Sequence, residues 1–199
     1  MVTLQPIAPQ DIEAESFRII ERELGPTGFS PEEFAVVRRC IHATGDFSFA
    51  ETLRFHPQAV EAGLAAIRAG RNILVDVGMA AAGVSAHLLA PFGGRVLCRV
   101  GEPETAALAR ANNTTRSDAA MTRATGDNIG IVAIGNAPTA LLKVMDLIER
   151  RLLAPNLVIG VPVGVPVGVP VGVPVGVPVG VPVGVPVGVP VGVPVGVPV

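Results

Sequence analysis

"IGIVAIGNAPTALLKVMDLIERRL", residues 129–152, changes its hydrophobic period midway, and that change decides the fold. Ile129 to Gly135 is a short run without a polar side chain, as expected of a strand covered on both faces. From Pro138 the apolar residues recur at helical spacing instead. The stretches on either side repeat this alternation. "NILVDV" (72–77), "RVLCRV" (95–100) and "NLVIGV" (156–161) read as strands, while "GMAAAGVSAHLL" (78–89) and "PETAALARAN" (103–112) read as helices. Strands alternating with helices predict an α/β fold with a mainly parallel sheet and helices on both faces. Right-handed crossovers put the ligand crevice at the carboxyl ends of the strands. The loops that matter then begin at Gly78, at Gly135 and just after Val161.

Ahead of the first strand the pattern is helical. "DIEAESFRIIEREL" (11–24) puts Ile12, Phe17, Ile20 and Leu24 on roughly one face and stops at Gly25-Pro26. "SPEEFAVVRRCIHA" (30–43) opens with Ser30 as N-cap, Pro31 in the first turn and Glu33 completing a capping box. Phe34, Val37 and Ile41 form its buried stripe. After an aromatic stretch (Phe47, Phe49, Phe55), "HPQAVEAGLAAIRAG" (56–70) reads as a third helix, with Val60, Leu64 and Ile67 inward and Gly70 as its stop.

The far end is different. Residues 160–199 repeat Gly-Val-Pro-Val and carry no charge, so every charged side chain belongs to the preceding segment. A proline in each repeat removes a ladder donor and prevents a helix, which predicts a low-complexity, disordered coil over 165–199. It also excludes a membrane span, since lipid cannot satisfy the exposed backbone groups. The expected organisation is one α/β domain over 1–164 and the repeat beyond it.

The net charge of −2 gives no sign of a nucleic-acid partner. All the basic residues are arginines except Lys143. That reflects either genomic composition or a ligand rich in carboxylates, which guanidinium forks pair in a fixed planar geometry. Cys40 and Cys98 read as buried free thiols of a reducing cytoplasm, with no secretory signal at the N-terminus. No histidine pair has metal-ligand spacing. Neither a nucleotide phosphate loop nor a hydrolase nucleophile elbow is present.

His42 stands near the C-terminal end of a helix, where the macrodipole favours positive charge. Arg39 and Arg38 precede it by three and four residues, on a shared face. Two readings fit. His42 is a proton donor flanked by anion-binding groups, or a histidine capping carbonyls beside solvated arginines. His56, before Pro57, reads as a turn residue, and His87 as a surface or satisfied core residue. Arg116, between Thr115 and Ser117 at a helix start, is suited to a carboxylate or is an exposed arginine beside an N-cap. Asn136 and Thr139 follow a strand and enter a helix, which faces them to the crevice.

"ESFRII" (15–20), "IHATGDF" (41–47), "ILVDVGMAAAG" (73–83), "TRSDAAM" (115–121), "AIGNAPTAL" (133–141) and "GVPVG" (160–164), taken in order, resemble the precorrin-8X methylmutase family. The resemblance implies a flavodoxin-like fold, a homodimer and an isomerase of cobalamin biosynthesis. Such an enzyme moves a methyl group from C-11 to C-12 of a corrin precursor, giving hydrogenobyrinic acid, and needs no cofactor. His42 matches the family's catalytic histidine. Ser16, Arg39 and Arg116 match substrate-binding positions, and Met79 and Asn136 are carried over with them. A tetrapyrrole bearing several carboxylates gives the arginines a purpose and favours the proton-donor reading of His42. The alternatives are the same reaction on a cobalt-containing substrate, and an inactive tetrapyrrole-binding module. The last follows because the family continues beyond "GVPVG" with a further strand and helix where this sequence has the repeat.

Overall fold

The computed structural model describes residues 8–161 and the short strand Val183–Gly184. The chain divides into two compact units, Met1–Leu53 and Arg54–Val199.

The first unit is helical. After a 3-10 turn, Pro9–Asp11, come α1 (Ile12–Leu24), α2 (Pro31–Thr44) and α3 (Phe49–Thr52). Gly25 ends α1 with its N–H on the Glu21 carbonyl. Ser30 and Glu33 form both halves of the capping box expected at the start of α2, at 3.2 and 2.9 Å. Ile20, Val37 and Ile41 are buried, whereas Ile12 is exposed. The aromatic stretch is not a plain linker, because Phe49 begins the one-turn α3.

The second unit opens with α4 (Ala59–Arg68) and β1 (Asn72–Val75). There follow α5 (Gly78–Gly83), α6 (Ala86–Leu89), β2 (Val96–Leu97), α7 (Pro103–Ala111) and α8 (Arg116–Arg123). Then come β3 (Ile129–Ile134), α9 (Pro138–Glu149), β4 (Leu157–Gly160) and β5 (Val183–Gly184). The strand order is β2-β1-β3-β4-β5, with every pairing parallel, which is the flavodoxin-like order. Alternate residues point to opposite faces. Leu74, Val132, Ile134 and Val158 pack with Ala120 and Met121 of α8 and Ala140, Val144 and Leu147 of α9. Ile73, Val75, Ile131 and Leu157 pack with Ala59 and Ala66 of α4 and Leu89 of α6. The sheet is therefore covered on both faces, as the uninterrupted apolar strands require.

Four expectations change. The inward stripe of α4 is Ala59, Gly63 and Ala66, and Leu64 is 42% exposed. Close approach to the sheet selects small residues here: a Cβ on Gly63 would stand 3.0 Å from Leu157 Cδ2. The single helix expected over 78–89 is two, broken at Val84, whose backbone is extended. The strand expected over 95–100 pairs only at Val96–Leu97, because Arg99 turns its side chain to Asp127 and Glu102. Val183–Gly184 stands as a strand beside β4 where the sequence predicts coil. This Val-Gly step holds no proline, so neither residue lacks its N–H donor. The rest of the coil expected over 165–199 lies outside the described residues.

Candidate functional site

The candidate residues fall into two groups, one in each unit. In the first, the stop of α2 accounts for the Thr-Gly-Asp after His42. Gly45 takes the left-handed conformation (φ +71°) and returns its N–H to the Ile41 carbonyl, as a C-terminal cap does. Thr44 Oγ1 donates to the Cys40 carbonyl and accepts the Asp46 N–H at 3.1 Å. Asp46 accepts the Ser48 N–H at 2.8 Å, and hydrogen bonding from Ser48 holds its carboxyl below the ordinary range. The last turn of α2 is thus pinned from both sides.

His42 sits in that turn, partly buried, with Nδ1 2.8 Å from Ser16 Oγ of α1. A hydroxyl can donate to Nδ1 of a neutral ring or accept from Nδ1 of a charged one. The contact therefore survives a change of protonation and fixes the ring in both states. Phe17, next to Ser16, meets the His42 ring edge-on with centroids 5.3 Å apart. The Arg38 and Arg39 guanidinium carbons lie 4.3 and 4.8 Å from the Phe17 ring centroid, as cation–π partners. Arg38 pairs with Glu21 and Arg39 with Glu13. The Arg39 pair is more than half exposed on both sides, and such pairs contribute only ~0–1 kcal/mol, so Arg39 can exchange Glu13 for another carboxylate at little cost. Ser16, Arg39 and His42 are brought together as the sequence suggests. Phe17, which reads in the sequence as a core residue, is the ring around which they gather. Burial pushes the Cys40 thiol up, away from reactivity.

The second group stands at the carboxyl edge of the sheet, where β1 and β3 diverge to neighbours on opposite sides, the topological switch point. Met79, second residue of α5, is 78% exposed after β1. Asn136 is exposed in the loop between β3 and α9. The loop is held from beneath by Asp76, a fully buried carboxylate that accepts N–H groups from Gly135, Asn136 and Ala137 at 2.9, 2.9 and 2.6 Å. Asp76 is the residue that sequence reasoning missed. It reads as the end of an apolar strand, and an Asp in such a run was the available signal. These three amides, in the loop before α9, are thereby engaged within the protein.

Arg116 begins α8, with Thr115 as N-cap accepting the Asp118 N–H at 3.1 Å. Thr115 Oγ1 lies 3.2 Å from Thr139 Oγ1 at the start of α9, which puts Arg116 at the same edge of the sheet. Of the other histidines, His56 Nδ1 accepts the Gln58 N–H in a turn, as expected, and His87 is exposed on α6. Among the described residues, no three His, Cys, Asp or Glu side chains gather as a metal would need.

A family model for precorrin-8X methylmutase matches residues 11–170. The cobalt-precorrin-8 methylmutase of Priestia megaterium is 40% identical over 157 residues, covering 78% of this chain and 70% of that protein. The precorrin-8X methylmutase of Pseudomonas aeruginosa is 38% identical over 154 residues, covering 77% and 74%. A solved structure of precorrin-8X methylmutase from Thermus thermophilus superposes with a TM-score of 0.71 at 49% identity, covering 78% of this chain and 76% of its own.

Proposed function

The chain belongs to the precorrin-8X methylmutase family, and from that premise we propose that it moves a methyl group from C-11 to C-12 of a precorrin-8 substrate. The product is hydrogenobyrinic acid or its cobalt counterpart, on the route to cobalamin. The reaction is an isomerisation: the bond from the methyl carbon to C-11 breaks as the bond to C-12 forms, and no atom is gained or lost. Such a step needs the ring held still and its electrons biased.

The observation that carries this reading is the Ser16–His42 pair. With Nδ1 held by Ser16, Nε2 is the nitrogen that lends a proton to the conjugated ring and recovers it afterwards. His42 is the proposed catalytic residue. Arg39 and Arg116 take substrate carboxylates, Ser16 orients the imidazole, and exposed Met79 and Asn136 contact the macrocycle. The domain is proposed to span residues 1–164, with the repeat appended to it.

The same reading carries a cytoplasmic homodimer without a nucleic-acid partner. Free thiols at Cys40 and Cys98 support a reducing compartment. Exposed Leu88 and Phe92 supply apolar surface for a second copy to cover. No helix among the described residues is long and apolar enough to cross a membrane.

The test is incubation of the purified chain with metal-free precorrin-8X and, separately, its cobalt form, followed by absorbance. Conversion of either supports the proposal and names the substrate. Tight binding with no spectral conversion of either would reject it in favour of a binding module.

A further inference from the structure

α7 and α8 run antiparallel, because Arg123 in the last turn of α8 pairs with Glu102 and donates to Thr105 Oγ1 at 2.8 Å, at the first turn of α7. Their opposite ends therefore meet. There Ala106, Ala109, Arg110, Asn113, Thr114 and Arg116 line a groove of about 400 Å³. The Thr115–Thr139 contact joins this end to the start of α9, the crevice edge of the sheet.

Arg110 and Arg116 are both exposed, and among the described residues neither has an ion pair or a hydrogen bond to its side chain. Other arginines of the chain are engaged: Arg38, Arg39, Arg99 and Arg123 each hold a carboxylate. No acidic residue occurs from Thr105 to Ser117, and the next one, Asp118, is taken by Lys143 at 3.3 Å. Two guanidinium groups on the walls of one groove, with no anion between them, repel each other. A ligand that supplies carboxylate to both removes that repulsion and gains charged, directional hydrogen bonds.

We propose that Arg110 is a second substrate-binding residue, taking a carboxylate of the corrin precursor in the groove that Arg116 also lines. The proposal rests on the methylmutase reading for its substrate, and on the groove for its chemistry. Nothing in the sequence alone marks Arg110, since the five residues between it and Arg116 hide that a helix hairpin brings the two together.

The experiment titrates full-length parent, Arg110→Gln and Arg110→Lys with hydrogenobyrinic acid by absorbance. Glutarate, a ring-free dicarboxylate, is titrated in parallel against the parent, following the ¹⁵N signals of the arginine side chains. Arg110→Gln should weaken corrinoid binding about tenfold or more. Arg110→Lys should recover part of the loss, and the melting temperature should not move because Arg110 makes no contact to lose. Corrinoid binding by Arg110→Gln within about twofold of the parent overturns the role of Arg110 and leaves the methylmutase reading standing. Glutarate moving the Arg110 and Arg116 signals, with no corrinoid binding by the parent, keeps the groove as a carboxylate site and overturns the corrin substrate. Neither ligand moving those signals overturns both.

Discussion

Ser16 and His42 come from different helices, and what joins them is one 2.8 Å contact that tolerates either protonation state of the ring. If His42 lends a proton, removing it should leave binding intact and remove chemistry. We expect His42→Ala to lose roughly 10²–10⁴-fold in turnover with corrinoid affinity nearly unchanged. Turnover close to the parent's would dismiss His42 from catalysis. Ser16→Ala should lower kcat with less effect on KM, and Ser16→Thr should restore much of it because the hydroxyl returns. Equal loss in both variants would mean that the hydroxyl is not what matters. Asp76 differs in kind, because it touches no proposed ligand and holds three backbone N–H groups. Asp76→Asn replaces one acceptor oxygen with a donor facing those groups. It should cost ~1–3 kcal/mol in urea unfolding, the range for a buried hydrogen-bonding group left unsatisfied. An unchanged unfolding midpoint would show that the loop holds itself.

At the scale of elements, what could be read from the sequence was whatever is encoded locally. The capping box of α2 is written in Ser30 and Glu33, and the parallel strands in their unbroken apolar runs. The face of α4 was misread, because the pattern gives weight to Leu64 whereas the sheet requires Gly63 and Ala66. Nor could local patterning show that α7 and α8 fold back on each other, since the Arg99, Glu102, Arg123 and Asp127 cluster joins residues far apart in the chain. That cluster has a pH signature. The hydrogen bond from Arg123 holds the Glu102 carboxyl below its ordinary range. A carboxyl lowered in the folded state stabilises above its unfolded pKa and loses that contribution as pH falls through the folded value. Glu102→Gln should therefore melt below the parent at pH 7, with the gap closing below about pH 4. A gap that stays constant from neutral to acid would mean that the network contributes no charge effect. Gly70, after α4, is a second element-scale case. Its φ is +65°, and a Cβ there would lie 2.6 Å from the Phe92 carbonyl oxygen. Gly70→Ala should cost ~2 kcal/mol or more by thermal unfolding, since the left-handed conformation alone costs about 1–2. A smaller loss would mean that the turn can rearrange.

For the molecule as a whole, the strand order was legible in its class and partly in its consequences. Gly78 and Gly135 were expected at the crevice edge, and that edge does hold Met79 and Asn136. The pairing of Val183–Gly184 with β4 was not legible, because ten identical repeats offer nine equivalent Val-Gly steps. The equivalence makes a prediction. Deleting residues 181–184 leaves nine copies of the same unit, any of which presents the same donors. The melting temperature should then stay within about 1 °C of the parent, as register is weakly specified in a repeat without distinct side chains. A clear drop would mean that this unit alone fits beside β4. The switch point carries a wider consequence. In a parallel sheet of this order, the start of a helix after a strand is a natural seat for a phosphate, because its amides face outward with partial positive charge. Here the polypeptide supplies its own tenant one step earlier: Asp76 takes the amides of Gly135, Asn136 and Ala137, in the loop that leads into that helix start. A phosphorylated cofactor arriving at this address would find the loop amides already engaged by the protein's own side chain. A loop that this architecture commonly lends to a phosphate is thereby spent on tying the end of β1 to the end of β3.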